Sequence, residues 1–176
     1  MSKTPRKRRK HKAAPQRRMP QSQRQTQPAH DVDAYQALKD ATRLHLRLIW
    51  EKAQLGGTLN EEDMRTVQAM REHPEYAALW PRLDTISDAE LEQDGIDPIL
   101  HIMIHTTAEN QLAANDPPVT GEVLAALMAR GVTRHEAVHR IGAVLTEEIF
   151  AIMKSSGPFD ASGFERKLRA LIREAP

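Results

Sequence analysis

Residues 97–118, which read DPILHIMIHTTAENQLAANDPP, contain the most sharply bounded helix that the sequence predicts. Asp97 is a favourable N-cap, and Pro98 suits the first helical position, where its missing backbone N–H is no loss. The helix is expected to reach Ala114, because the Asn-Asp-Pro-Pro run that follows cannot continue it. This stretch therefore favours a helical fold.

The rest of the body also has helical periodicity, and no segment alternates with the period of two that strands require. Gly56-Gly57 ends a first helix that begins near Asp33, and His73-Pro74 interrupts a second. A short helix is expected from Thr120 to Gly131. Three strings read as capping boxes that open helices: Thr58-Leu-Asn-Glu61, Thr133-Arg-His-Glu136 and Ser162-Gly-Phe-Glu165. The sequence predicts an all-α protein, a compact bundle of about five to six helices.

The charge distribution divides the chain into two parts. Of the 25 basic residues, ten lie in residues 1–30, which contain no acidic residue; residues 31–176 therefore hold 15 basic against 24 acidic residues. The first part is rich in Lys, Arg, Gln and Pro and has little apolar surface to bury. We predict a disordered basic tail, residues 1–30, and a helical domain, residues 31–176.

Several classes of protein are disfavoured by composition. The chain has no cysteine, which excludes disulfides, thiolate metal sites and a cysteine nucleophile. No apolar run approaches the ~20 residues of a membrane-spanning helix, and no apolar stretch follows the basic N-terminus as in a secretory signal. We expect no membrane partner and a cytoplasmic location.

Two pairs of histidines have the spacing of one helical turn. They are His101 with His105 and His135 with His139. Residues four apart lie on one face of a helix, and both pairs stand at the edge of an apolar face. If the two helices pack together, four imidazoles could bind a divalent transition metal, zinc or iron.

Other side chains could contribute to such a site. Glu109 and Glu136 are candidate metal ligands, orienting residues or bases, and His45 is a possible further ligand, although a histidine on an apolar face more often belongs to the core. His73, before Pro74, is expected to be a loop or helix-end residue. The alternative for both pairs is that their ring nitrogens contact only water or backbone carbonyls.

Residues 135–139 also read His-Glu-Ala-Val-His, the string with which zinc peptidases bind their metal and activate water. In that alternative Glu136 is the catalytic base. In one class of these peptidases the position of the third metal ligand corresponds to Leu145, which cannot bind a metal. In another class the third ligand could be Glu165, on the last helix. Such peptidases hold the peptide against a strand, which the sequence does not predict. The string is short, and capping already explains Glu136.

Several motifs together resemble a known family. They are His73-Pro-Glu-Tyr76, Asp97-Pro-Ile-Leu-His-Ile-Met-Ile-His105, Glu109-Asn-Gln-Leu112, Asp116-Pro-Pro118, Arg134-His-Glu-Ala-Val-His139 and Gly157-Pro158. From about Tyr35 to Leu171 the chain is similar to the bacterial proteins of the domain of unknown function 1841 family. That family usually has Asn-Pro-Phe-Leu-His where this chain has Asp97-Pro-Ile-Leu-His101. The resemblance implies a helical bacterial domain and supplies no activity.

Three functions follow as hypotheses: a metal-binding helical bundle, a metallopeptidase-like enzyme, and a non-catalytic adaptor whose tail contacts nucleic acid while its acidic body contacts a protein. The adaptor hypothesis rests on the run Arg6-Lys-Arg-Arg-Lys10. Such a run attracts phosphate backbones through counterion release, and no aromatic residue interleaves it to stack on bases.

Deleting residues 1–30 should leave the body folded and abolish any affinity for nucleic acid. Because only phosphates would be contacted, the affinity of the full chain should fall steeply as the salt concentration rises. Titration of labelled DNA at several salt concentrations measures this. Salt-insensitive binding, sequence-selective binding, or binding that survives the deletion would contradict the electrostatic account.

Overall fold

A computed structural model describes residues 29–155 and 157–174. Within these ranges the protein has seven α-helices, two 3₁₀ helices and no strand, so the all-α prediction is confirmed. The α-helices are α1 (Ala29–Gln54), α2 (Glu61–Glu72), α3 (Asp88–Leu91), α4 (Pro98–Ala114), α5 (Pro118–Ala129), α6 (Arg134–Ser155) and α7 (Ala161–Glu174), and the 3₁₀ helices are Pro74–Tyr76 and Trp80–Arg82. None of the described helices is long and apolar enough to cross a membrane. Apart from the start of α1, the predicted tail lies outside the described residues.

Helix α4 has the bounds that the sequence predicts. The Oδ1 atom of Asp97 accepts hydrogen bonds from the backbone N–H groups of Ile99, at 2.8 Å, and Leu100, at 3.2 Å. These bonds satisfy two of the N–H groups that have no partner within the helix. At the other end Asn115 adopts a left-handed conformation, with φ at 51°, which asparagine tolerates better than most residues.

Two of the three predicted capping boxes are wrong. Helix α2 begins after Asn60, whose Oδ1 accepts from the N–H of Asp63 at 2.7 Å, so Thr58 is not its N-cap. Helix α7 is capped by Asp160, whose Oδ1 accepts from the N–H of Gly163 at 2.9 Å, rather than by Ser162. In both cases a side-chain oxygen two residues away from the predicted cap reaches the free N–H groups instead. Helix starts are therefore displaced by a few residues while the helices themselves are retained.

The third predicted capping box is incomplete, and a box that was not predicted is present. Thr133 accepts from the N–H of Glu136 at 3.2 Å, but the carboxylate of Glu136 accepts from Arg140 Nε at 3.0 Å. A complete capping box occurs in a segment expected to be irregular, where Ser87 and Glu90 open the single-turn helix α3. This unpredicted turn raises the number of helices above the expected five to six.

Helix α4 lies between two hydrophobic cores and contributes to both. The first core is built by α1, α2, the 3₁₀ helices and the start of α4, with Trp80, Met70 and Ile102 fully buried. The second is built by the end of α4 with α5, α6 and α7, and contains Phe164 and Leu168. A helix that is apolar on several sides requires such a central position. One side of α4 therefore packs on α2 and another on α6.

The contact between α4 and α6 depends on a glycine. A Cβ atom at Gly142 would lie 2.9 Å from Cγ2 of Ile104, closer than two carbon atoms pack. Gly142 is one turn from His139, and Ile104 precedes His105 in the chain. The absence of a side chain at Gly142 therefore lets the two histidine-bearing helices approach each other.

We expect Gly142→Ala to be less stable than Gly121→Ala by about 1–3 kcal/mol, because overpacking at the α4–α6 contact has a cost of that order. Gly121 is a matched control, since it is also helical and its added Cβ would lie 3.5 Å from the nearest atom, an ordinary contact. Urea unfolding of both variants gives the difference. Equal stability would contradict the close packing at Gly142.

Candidate metal centre

Five imidazole rings meet where the two cores join. We call them the histidine cluster, and it consists of His73, His101, His105, His135 and His139. One member ends α2, two are on α4 and two are on α6. The cluster thus forms where α4 contacts both of its neighbours.

The four histidines predicted from the sequence are brought together. Within each helix the rings are one turn apart, with centroids 4.8 Å apart for His101 and His105 and 4.3 Å apart for His135 and His139. Across the two helices the ring centroids of His105 and His139 are 4.5 Å apart. The spacing of one helical turn and the close approach of α4 and α6 together produce this convergence.

The fifth ring belongs to His73, which the sequence indicated only as a loop or helix-end residue. It is the C-cap of α2, and its backbone leaves the helical conformation before Pro74. Its ring is almost fully buried, at 2% exposure. The ring centroid is 4.4 Å from that of His101 and 4.7 Å from that of His105. The end of α2 therefore adds an imidazole from a third helix.

Four members of the cluster have the geometry of a metal-binding group. His73, His105, His135 and His139 each offer one ring nitrogen, and these four atoms all lie within 4.8 Å of one another. His101 is outside this set, but its Nε2 is 3.2 Å from Nε2 of His73. The arrangement is therefore a group of four with a fifth imidazole beside it.

Two of the rings contact a carboxylate through their Nδ1 atom. Glu75 Oε1 is 3.0 Å from Nδ1 of His73, and Glu72 Oε2 is 3.2 Å from Nδ1 of His135. When Nδ1–H donates to a carboxylate, the lone pair of Nε2 remains free to bind a metal. Metal-binding histidines in proteins commonly have this arrangement.

The pKa values of these two carboxyls fit their role as acceptors. Burial alone would raise the pKa of Glu72, but hydrogen bonds from Gln68 and His135, together with the charges of His135 and Arg134, lower it below its ordinary value. Burial is also opposed at Glu75, where the hydrogen bond from His73 lowers the pKa of the carboxyl. Both carboxyls are therefore ionised at neutral pH and can orient a ring N–H.

Two ring nitrogens of the cluster are buried without a hydrogen-bond partner among the described residues. They are Nε2 of His105 and Nε2 of His139. A buried polar nitrogen without a partner costs about 1–3 kcal/mol. A metal ion bound to these nitrogens would remove that cost.

The cluster also favours neutral imidazoles, the form that binds metals. Burial, together with the repulsion of neighbouring imidazoles, lowers the pKa of His101 to about 4 and that of His105 to about 3. The same causes lower the pKa of His139. At neutral pH these three rings therefore have free lone pairs and no charge.

The two glutamates predicted for the site have partners of their own. The carboxylate of Glu109 accepts two hydrogen bonds from the guanidinium of Arg134, one of them at 2.7 Å. Glu136 is bound to Arg140. Among the described residues, the ligand atoms grouped within 4.8 Å are histidine nitrogens alone. The structure thus supports a nitrogen donor set with Glu72 and Glu75 behind it.

The sequence suggested that His45 belongs to the core, and this is wrong. Its side chain is 59% exposed, and its Nε2 is 3.1 Å from Asp63 Oδ1.

Glu72, Glu75 and His73 were not predicted for the site because they are close in sequence to each other but far from both histidine pairs. The string Glu72-His-Pro-Glu75, with acids on both sides of a histidine, is the signal that could have indicated them.

Comparison with known proteins identifies a family and no activity. A family model described as Domain of unknown function (DUF1841) matches residues 38–170, a range that contains the whole histidine cluster. No curated protein and no solved structure matches the chain. The geometry of the cluster is therefore the best guide to its chemistry.

We expect the metal-free protein to become less stable as the pH falls from 6.5 to 4.5. His101 and His105 have pKa values of about 4 and about 3 in the folded protein, against an ordinary value of 6.5. Between pH 6.5 and these lowered pKa values the unfolded chain binds protons that the folded protein does not. The free energy of unfolding is therefore highest above pH 6.5 and decreases as the pH falls. Urea unfolding with a chelator present measures this.

Unfolded glutamates, with an ordinary pKa of 4.5, bind protons mainly at the lower end of this window, so carboxyl groups add to the effect only there. The variant His105→Gln should have a flatter pH dependence, because one of the responsible groups is removed. A free energy of unfolding that is constant or rises towards pH 4.5 would contradict the burial of neutral imidazoles.

Proposed function

The chain belongs to the domain of unknown function 1841 family, since the family model covers most of its length, and we propose that it binds a divalent transition-metal ion in its histidine cluster. The observation that carries this proposal is the set of four ring nitrogens within 4.8 Å of one another. Two ligands of a tetrahedral ion are about 3.4 Å apart when each bond is ~2.1 Å. Small side-chain movements are therefore enough to bind an ion.

The donor set indicates the class of metal. Imidazole nitrogen suits zinc, iron, copper and nickel, whereas magnesium and calcium prefer oxygen ligands. The chain has no cysteine to provide a thiolate, and the nearby carboxylates of Glu72 and Glu75 are engaged by ring nitrogens. Zinc and iron are the ions that we propose, with His73, His105, His135 and His139 as ligands.

His101 gives the site a variable position. Its Nε2, 3.2 Å from that of His73, is at a separation typical of two ligands of one ion. When His101 does not bind, a four-histidine centre takes an exchangeable ligand by expanding to five-coordinate, as catalytic zinc sites sometimes do. The geometry thus supports an open centre as well as a closed one.

The peptidase alternative has less support than simple metal binding. Glu136 is bound to Arg140, whereas a peptidase glutamate must reach a metal-bound water. The candidate third ligand, Glu165, is bound to Arg169 at 3.0 Å. The described residues also contain no strand against which a peptide could be held. The adaptor alternative rests on the basic tail, which the described residues do not cover.

The full-length protein, reconstituted with zinc or iron and desalted, should contain about one ion per chain, because the cluster has ligands for one centre. His73→Ala should lose most of this metal, since it removes a ligand and the partner of His101. His45→Ala is the matched control, because it removes an exposed imidazole that contacts Asp63 instead. Elemental analysis by mass spectrometry gives the content.

Circular dichroism should show that both variants are folded. The proposal fails if the wild type retains neither metal after reconstitution. It also fails if folded His73→Ala and His45→Ala retain equal amounts, because the bound ion would then lie elsewhere.

A further inference from the structure

A cleft of about 340 Å³ opens beside the histidine cluster. Three members of the cluster line it, His101, His105 and His139. Its volume is at the lower end of the range for small-molecule sites, about 300–1,000 Å³. The cleft is thus large enough for a small organic molecule and ends at the proposed metal centre.

The other walls of the cleft are mainly apolar. They come from α4, α6 and the segment before α4, and include Leu100, Ile104, Gly142 and Ala143. Asp97 is the one residue with a charged side chain among the described residues that line it, and its Oδ1 already accepts two backbone hydrogen bonds. The lining side chains therefore supply no positive charge of their own, and the walls favour an apolar group.

His101 stands between the cleft and the four-histidine group. It lines the cleft, it is half-buried, and its Nε2 contacts Nε2 of His73. A molecule in the cleft would meet the metal centre on this side. A molecule in the cleft would therefore contact both the apolar walls and the coordination position near His101.

We propose that the cleft binds a small molecule whose apolar body lies against Leu100 and Ala143 and whose donor atom coordinates the metal on the side of His101. This inference rests on the proposed metal centre. It adds the class of ligand: a metal-coordinating molecule with an apolar body, as distinct from small polar ligands without one.

The test uses the full-length protein loaded with cobalt(II), whose visible absorption reports the coordination of the metal. Imidazole and 4-phenylimidazole have the same donor atom, but the second has an apolar ring to bury. We expect 4-phenylimidazole to bind at least about tenfold more tightly than imidazole, because burial of a ring is worth that much. Benzoate, which has the same ring, should likewise bind at least about tenfold more tightly than acetate, which has the same donor group and no ring.

Two wall variants test the place of binding. Leu100→Glu should remove most of the preference for 4-phenylimidazole over imidazole, and Ala143→Glu, on the other wall, should do the same. Met103→Glu is the matched control, because Met103 is also a partly exposed residue of α4 but does not line this cleft. All three variants should bind the same amount of cobalt as the wild type.

The outcomes separate this inference from the proposal that it rests on. A wild type that binds no cobalt would overturn both. Full cobalt binding without a preference for 4-phenylimidazole over imidazole, or without a preference for benzoate over acetate, would overturn the ligand class alone. A preference that Met103→Glu reduces as much as Leu100→Glu and Ala143→Glu would overturn the assignment to this cleft.

Discussion

The constraint on which the structure depends is the burial of imidazole nitrogens between two hydrophobic cores. Each neutral imidazole has one nitrogen that donates and one that accepts, and a buried nitrogen needs a partner. Glu72 and Glu75 provide partners for Nδ1 of His135 and His73. Nε2 of His105 and Nε2 of His139 have none among the described residues. Burial alone makes this arrangement costly, and a metal ion bound as we propose would remove the cost.

Helix α4 makes this arrangement possible. It separates the two cores, so the side chains on its flanks lie in a junction that neither core fills with apolar groups. The close contact of Ile104 with Gly142 sets the distance between α4 and α6, and Pro74 ends α2 so that His73 points its buried ring at the other rings. The same packing therefore produces both the fold and the site. Apolar contacts position three helices, and these helices present nitrogen donors to one point.

The fold was predictable from the sequence where the signals were local. Asp97-Pro98 and the Asn-Asp-Pro-Pro run define α4 because capping and proline chemistry act within a few residues. The histidine pairs were predictable because one helical turn brings residues four apart together. His73 was not predicted, since it joins the cluster only through the packing of α2 against α4, and its one local signal is the pair of acids that flank it in Glu72-His-Pro-Glu75. The cap at Asn60 was missed because Thr58 competes with it for the same N–H groups, and geometry decides between them.

Anomalous X-ray diffraction from crystals of the zinc-loaded full-length protein, recorded on both sides of the zinc absorption edge, tests the central claim most directly. The account predicts an anomalous peak inside the histidine cluster, about 2.0–2.1 Å from ring nitrogens of His73, His105, His135 and His139. A peak bound elsewhere, or crystals in which those rings contact only one another and water, would contradict it.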